Sequence, residues 1–381
     1  MTATTRQIGL SLPWLDEREE ELVLEVLRSG RLSLGPTIDR FEDLFAEAVG
    51  APYAAAVSSG TAGLHLLCVL AGIGPGDEVI TSPYSFVASA NCAIYQGATP
   101  VFADIDRRTL NIDPAAVEAA ISERTKAVVT VDIFGYPSEL DELRDICDRH
   151  GLALIDDACE ALGAVYRGKT IGAQPGEAVF AFYPNKQMTM GEGGIVTTHC
   201  EETWALLKSL RNQGRADGGG WLDHARLGFN YRLDDIRAAI GIGQIEKLDR
   251  ILAFRRETAE RYIDLLQGID GLGLPWPDDD DHVRSWFVFV VELPYGVERE
   301  AVIQSLSARG VQTARYLPCI HLQTYMRERF GFGEGLCPVA EAVSARTLAL
   351  PFHARLDESD QAYVVDALER ALAAQMGSSR S

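Results

Sequence analysis

A lysine in a glycine-rich loop is the first residue in this chain whose type and setting suit covalent chemistry. The loop Phe182–Gly194 holds Lys186 near its centre and lies between the β-rich runs 177–183 and 195–198. Pro184 and three glycines prevent regular structure there, which predicts a tight loop at the rim of a sheet. A lysine partly withdrawn from water at such a rim can attack a carbonyl. The alternative is a solvated loop lysine, which the loop alone does not exclude.

A second candidate is the turn Ser59-Gly60-Thr61, which joins the apolar strand Ala54–Ser58 to the apolar helix Leu64–Leu70. A strand that delivers small residues to the start of a helix leaves unpaired backbone N–H groups and a positive dipole end pointing outward. This arrangement suits a phosphate group. An ordinary helix cap uses the same residue types and is the alternative.

Strand and helix patterns alternate through the first half of the chain, which predicts an α/β fold with a mostly parallel sheet covered by helices on both faces. In such sheets, ligands bind beyond the carboxyl ends of the strands. Asp157 lies at the end of the strand Leu152–Ile155, and Phe86 lies just past the strand Glu78–Ser82. We therefore expect both residues at the rim that the loop of Lys186 approaches.

The second half of the chain predicts a smaller unit. A long amphipathic helix is predicted over Leu233–Leu252, and the strand Trp286–Leu293 begins an α+β pattern that continues to the end. We predict a large domain over 1–250 and a small C-terminal domain over 251–381. The acidic run Asp278–Asp281 indicates a solvated loop, with metal binding as the weaker alternative.

The composition excludes some classes of partner. The formal net charge of −20 argues against nucleic acid or an anionic membrane as the main partner, while small anions remain possible ligands of a local pocket. The seven cysteines are scattered without metal-ligand spacing, which indicates reduced thiols and a cytoplasmic protein. No segment approaches the about 18 apolar residues of a membrane span.

Together, these candidate residues suit pyridoxal 5′-phosphate. Lys186 would form a Schiff base with its aldehyde. Asp157 would pair with the protonated pyridine nitrogen and keep the ring an electron sink. The Ser59-Gly60-Thr61 turn would bind the phosphate, and Phe86 would lie on the ring face.

Further motifs extend this set over nearly the whole chain, and they occur in the order Ser59–Thr61, Gly76–Ile80, Asp104–Asp106, Asn111–Asp113, Asp157–Glu160, Tyr183–Lys186, Gly191–Gly194, Arg211–Gly214, Gly228–Arg232, Tyr316–Gln323 and Leu348–Pro351. In these motifs the chain resembles the fold type I pyridoxal-phosphate enzymes, specifically the DegT/StrS-type nucleotide-sugar aminotransferases. The motifs are individually weak, and their common order and spacing make the resemblance specific.

The resemblance implies a role for each matching position. Lys186 matches the lysine that binds the cofactor and shuttles a proton, and Asp157 matches the partner of the pyridine nitrogen. Phe86 matches the aromatic residue that stacks on the ring, while Gly60 and Thr61 match the phosphate turn.

Three further positions match residues near the dimer interface and the substrate pocket. Asn230 matches a residue that reaches the phosphate of the other subunit's cofactor, so a homodimer with shared active sites is implied. Tyr316 and His321 match positions that border the substrate pocket, although a core or surface histidine is an equal alternative for His321.

Two departures from the family pattern are visible. Many members carry a phosphate-binding serine where this chain has Ala181, so one donor is missing. Many also carry Gln or His where this chain has Glu160, near the cofactor's phenolic oxygen. A carboxylate would repel a phenolate there, so we predict that Glu160 is protonated or turned away.

The resemblance implies an aminotransferase that moves nitrogen from L-glutamate or L-glutamine to a keto-sugar nucleotide. A keto-cyclitol acceptor is an alternative. A sugar dehydratase is another, although dehydratases of the family have histidine in place of Lys186. A regulatory protein that kept the fold is a third, although such a protein has no need for both Lys186 and Asp157.

Overall fold

The computed structural model describes residues 6–216 and 222–378. The strands run over β1 Tyr53–Val57, β2 Glu78–Thr81, β3 Thr99–Phe102, β4 Thr125–Val131, β5 Ala153–Asp157, β6 Val165–Tyr166, β7 Lys169–Thr170, β8 Glu177–Ala181, β9 Gly194–Thr198, β10 His282–Val283, β11 Phe289–Glu292 and β12 Thr347–Leu350. The helices run over α1 Glu17–Ser29, α2 Pro36–Val49, α3 Gly60–Leu70, α4 Ala88–Tyr95, α5 Pro114–Ala120, α6 Leu140–His150, α7 Glu201–Arg211, α8 Asp235–Ile245, α9 Leu248–Leu266, α10 Arg299–Ala308, α11 Thr324–Phe330, α12 Pro338–Arg346 and α13 Glu358–Ser378.

The central sheet has seven strands in the order β1-β9-β8-β5-β4-β2-β3. Strand β9 runs antiparallel to both of its neighbours, and the other six strands share one direction. This confirms the predicted mostly parallel sheet. The carboxyl ends of β1, β2, β5 and β8 therefore meet at one edge, where the segments bearing Thr61, Phe86, Asp157 and Lys186 begin.

Successive strand residues point to opposite sides of a sheet, and here both sides carry apolar side chains. Helices therefore cover both faces. On one face, Phe180 of β8 packs in a cluster with Phe41 of α2 and residues of α8. On the other face, the adjacent Val179 packs with residues of α3, α4 and α7. The two apolar clusters bury the sheet from both sides and hold its carboxyl edge in place.

The second part of the chain builds its own core. Strands β11 and β12 pair antiparallel, with Phe289 opposite Leu350, and α9, α10 and α13 contribute to the same apolar cluster. Ile8 joins that cluster, and its N–H donates to the carbonyl of Gly310 at 2.8 Å. The boundary predicted at residue 250 falls inside α9, which begins in the first core at Leu248 and ends in the second. The division into domains stays a prediction.

The single helix predicted over Leu233–Leu252 is wrong, because the structure has two helices that meet at Lys247. Lys247 leaves the helical conformation, with φ −122° and ψ 13°. Its Nζ lies 2.7 Å from Asp16 Oδ2 and 2.8 Å from Glu19 Oε1, both at the start of α1. These ion pairs to α1 stabilise a break between α8 and α9. The apolar periodicity of the sequence continues through this break and so does not reveal it. The strand predicted from Trp286 begins three residues later, at Phe289.

No helix in residues 6–216 or 222–378 combines the length and apolar character needed to cross a membrane.

Candidate active site

One cavity of about 620 Å³ opens at the carboxyl edge of the sheet, within the range of about 300–1,000 Å³ that is common for ligand pockets. Seven of the predicted site residues line it: Gly60, Thr61, Phe86, Asp157, Glu160, Lys186 and Tyr316.

Lys186 projects into this cavity from the loop that follows β8. The loop is held locally, because the N–H of Lys186 donates to the carbonyl of Tyr183 at 2.9 Å. The Lys186 side chain is only 14% exposed, and its Nζ lies 4.0 Å from the centre of the Phe287 ring. Glu160 Oε1 is 3.5 Å from the same nitrogen. The predicted nucleophile is therefore an amine largely withdrawn from solvent and oriented by an aromatic face.

Asp157 is the last residue of β5 and is buried at the cavity wall. Its Oδ2 accepts a hydrogen bond from Ser89 Oγ at 2.8 Å, and its Oδ1 accepts one from the N–H of Cys159 at 3.3 Å. These donors orient the carboxylate and stabilise its negative charge. Asp156, the preceding strand residue, is buried but does not line the cavity, and burial raises the pKa of its carboxyl well above the ordinary value.

The predicted phosphate turn is the first turn of α3. Ser59 caps the helix by accepting a hydrogen bond from the N–H of Ala62 at 3.1 Å. The N–H groups of Gly60 and Thr61 have no acceptor within the helix and lie at the positive end of its dipole. A Cβ at Gly60 would lie 2.8 Å from that of Ala181, so glycine permits the helix start to approach β8. Without a hydroxyl, Ala181 offers no side-chain donor at this contact.

Glu160 points towards Lys186 and lines the cavity, so of the two alternatives predicted for this residue, protonated or turned away, the turned-away one is not observed. Its Oε2 accepts a hydrogen bond from the N–H of Phe134 at 2.9 Å. Burial raises the pKa of the Glu160 carboxyl, and the nearby Lys186 ammonium and the Phe134 N–H offset this only in part. The shift is towards protonation, which is the direction of the first alternative predicted for this residue.

Two predicted residues lie outside the cavity. Asn230 is exposed on a segment that forms an isolated backbone bridge with Asn212. His321 is fully buried, with its Nε2 2.9 Å from Glu341 Oε1 and its ring packed beside Phe102. The structure therefore corrects the placement of His321 at the substrate pocket, because the short turn Ile320–Leu322 directs this ring into the core.

Sequence reasoning missed several residues that shape the cavity. Asn185 lines it and donates to the hydroxyl of Tyr316 at 3.3 Å, while its buried Oδ1 has no partner among the described residues. Ser89 and Phe287 support Asp157 and Lys186 from behind. The sequence offered only a weak indication of these residues, namely their closeness to predicted site residues. Ser89 lies three residues after Phe86, and Asn185 immediately precedes Lys186.

The residues present fit pyridoxal phosphate. The cavity offers a partly buried amine, a carboxylate held by two donors, unpaired amides at a helix start and an exposed aromatic ring at Phe86. The fold and this cavity define a pyridoxal-phosphate enzyme of fold type I, whose cofactor supplies the electron sink for chemistry at an amino-bearing carbon.

Comparisons with known proteins agree with this class. The model of the DegT/DnrJ/EryC1/StrS aminotransferase family matches residues 13–369. The spore coat polysaccharide biosynthesis protein SpsC of Bacillus subtilis is 38% identical over 371 residues, which are 94% of this chain and 95% of that protein.

Two solved structures illustrate the similarity in fold. DesV of S. venezuelae is 34% identical with a TM-score of 0.90, and the match covers 96% of this chain and 99% of that chain. The PLP-form of Spr1654 from Streptococcus pneumoniae is 25% identical with a TM-score of 0.92, with 96% and 99% coverage. The chain belongs to the DegT/DnrJ/EryC1/StrS aminotransferase family and is a pyridoxal-phosphate-dependent aminotransferase.

Proposed function

We propose that this aminotransferase moves an amino group from L-glutamate or L-glutamine to a keto-sugar attached to a nucleotide diphosphate, in amino-sugar biosynthesis. The observation that supports this most is the single cavity that gathers Lys186, Asp157 and the start of α3. The rim of the cavity is open, with Phe86 62% and Tyr183 53% exposed, which suits an acceptor that is much larger than an amino acid. The name of the relative SpsC, a polysaccharide biosynthesis protein, agrees with a sugar acceptor.

In this proposal the chain's own residues divide the work. Lys186 Nζ would hold the cofactor and would serve as the acid and base that moves the proton of the donor's α-carbon. Asp157, supported by Ser89, holds positive charge on the cofactor's ring nitrogen. The amides of Gly60 and Thr61 would bind the phosphate, and Phe86 would cover the ring face. Donor and acceptor use one cavity in turn, so the donor leaves as its 2-oxo acid before the acceptor reacts, and the kinetics are ping-pong.

The proposed enzyme is a cytoplasmic homodimer with shared active sites. Asn230 is exposed and lies outside its own subunit's cavity, which is the position expected of a residue that completes the partner's site.

The acceptor distinguishes this proposal from its rivals. Enzyme loaded with pyridoxal phosphate is treated separately with L-glutamate and L-glutamine, the 2-oxo acid released is measured, and excess donor is removed. A panel of nucleotide-linked keto-sugars and free keto-cyclitols is then added. We expect amination of a nucleotide-linked keto-sugar, with the amino product equal in amount to the 2-oxo acid. Amination of a keto-cyclitol alone would contradict the proposed acceptor, and loss of a sugar hydroxyl without nitrogen transfer would indicate a dehydratase.

A further inference from the structure

A buried arginine lies behind the lysine loop, and its hydrogen bonds to the described residues all go to backbone carbonyls. Arg255 of α9 is 4% exposed. Its Nη2 donates to the carbonyl of Lys186 at 3.0 Å, and its Nη1 donates to the carbonyls of Trp286 at 3.2 Å and Phe287 at 3.0 Å. Within residues 6–216 and 222–378 it forms no ion pair, and burial lowers its pKa to about 10. Burying an unpaired charge is costly, so its retention here calls for a role.

The three carbonyls belong to the two chain segments that set the position of the lysine amine. One is the backbone of Lys186 itself. Another is the backbone of Phe287, whose ring centre lies 4.0 Å from Lys186 Nζ. The guanidinium thus holds, from one side, the peptide that carries the amine and the peptide that carries the ring beneath it.

The third carbonyl belongs to a residue in an unfavourable backbone conformation. Trp286 has φ of +58°, in the left-handed region that bulky side chains rarely adopt. Such a conformation is strained and persists where surrounding contacts impose it. A hydrogen bond from a charged donor to this carbonyl is one such contact. It maintains the turn that places the Phe287 ring beside Lys186 Nζ.

We propose that Arg255 is a positioning residue that holds Lys186 Nζ against the Phe287 ring by clamping the backbones of both residues. The inference rests on the function proposed for Lys186. Arginine suits this task because its planar fork donates in two fixed directions, towards Lys186 from one nitrogen and towards Trp286 and Phe287 from the other. A lysine would keep the charge but would lose this geometry.

Arg284 provides a matched control. It is also 4% exposed, burial lowers its pKa to about 10, and it donates to a backbone carbonyl, that of Trp276 at 3.1 Å. It has no hydrogen bond to Lys186 or Phe287 in the described residues, although its guanidinium lies 5.0 Å from the centre of the Trp286 ring. Arg284→Met therefore removes a buried guanidinium of the same kind without releasing the lysine backbone.

The first measurement uses cofactor-free protein and trace acetylation by acetic anhydride, quantified by mass spectrometry. The readout is the labelling of Lys186 relative to Lys126, an exposed lysine of the same chain. We expect Arg255→Met to raise this ratio at least threefold, because a released loop exposes an amine that is now largely buried. Arg255→Lys should give a smaller increase, and Arg284→Met should leave the ratio unchanged. Thermal unfolding of each variant confirms that it is folded.

The second measurement follows the yellow colour that develops when pyridoxal phosphate is added. We expect its rate of appearance to fall at least tenfold in Arg255→Met and to stay within twofold in Arg284→Met. If Arg255→Met does not fold, Arg255→Gln, which keeps part of the donor set, replaces it with the same expected directions.

Two results would overturn the inference: a wild-type labelling ratio in the folded Arg255 variants, or equal increases in the Arg255 and Arg284 variants, which would indicate general loosening. Failure of the proposed function is distinguishable from both. A wild-type protein that never turns yellow refutes the role of Lys186, while the labelling ratio of the cofactor-free chains still tests the clamp.

Discussion

Replacing Glu160 with glutamine tests how the cavity tolerates a carboxyl group beside the cofactor. The carboxyl makes two contacts in the cavity: it accepts a hydrogen bond from the N–H of Phe134 at 2.9 Å and lies 3.5 Å from Lys186 Nζ. A glutamine can keep the first with its amide oxygen. It loses only the second, which is at the limit of hydrogen-bond distance. It also removes the cost of burying a charge, which is what raises the pKa of Glu160.

The expected magnitudes separate this variant from a truncation. Glu160→Gln keeps an acceptor for the N–H of Phe134, so its kcat/KM should stay within about threefold of wild type, equivalent to about 0.7 kcal/mol. Glu160→Ala leaves the N–H of Phe134 without its acceptor, at a cost of about 1–3 kcal/mol. If that cost falls on the transition state, kcat/KM drops roughly 5- to 150-fold.

The assay is release of 2-oxoglutarate from L-glutamate by purified enzyme loaded with pyridoxal phosphate, across a range of donor concentrations. Thermal unfolding of both variants provides the control for folding. A collapse of activity in Glu160→Gln with a normal unfolding temperature would refute the reasoning, because it would mean that the ionised carboxylate itself is required.

Three further predictions concern residues in and around the cavity. Because the folded pKa of Glu160 is raised above its ordinary 4.5, the folded chain binds more protons than the unfolded chain above that pH, and this group's contribution to stability falls as pH rises. In urea unfolding of the cofactor-free proteins, the free energy of unfolding of Glu160→Gln should therefore exceed that of wild type at neutral pH, and this difference should vanish below pH 4.5. A difference that does not depend on pH would contradict the prediction. If the proposed dimer shares its active sites, mixing Lys186→Ala with Asn230→Ala subunits should restore up to half of the wild-type activity, since each mixed dimer would have one intact site. Activity of the mixture no higher than the summed activities of the two variants would exclude sharing. His321→Ala should destabilise the fold by about 2–5 kcal/mol through lost core packing and leave the acceptor KM unchanged, and a raised KM at normal stability would return His321 to the pocket.

The residues at strand ends could be placed from the sequence. Gly60, Phe86 and Lys186 each follow a strand and Asp157 ends one. These strands share one direction, and parallel strands bring their carboxyl ends to one edge. Strand order was not needed for this inference, because direction alone brings the four segments together.

Buried side chains on segments distant from the strand ends could not be placed in this way. The adjacent Arg255 and Arg256 look alike in the sequence, yet the first is buried and the second exposed. The burial of Arg255 could have been inferred from its position, since it falls on the same buried face of α9 as Ile251 and Tyr262. His321 was misplaced because its distance along the chain from Tyr316 does not reveal the direction of the turn between them.

The role of Lys186 is tested most directly by the visible absorption spectrum of the purified chain with pyridoxal phosphate, before and after L-glutamate, with Lys186→Ala as the matched variant. We expect a yellow band in the wild type that bleaches with L-glutamate and returns when a nucleotide-linked keto-sugar is added. The same band should be absent from Lys186→Ala. A wild-type protein without the band, or a Lys186→Ala variant that shows and bleaches it normally, would contradict the account of this active site.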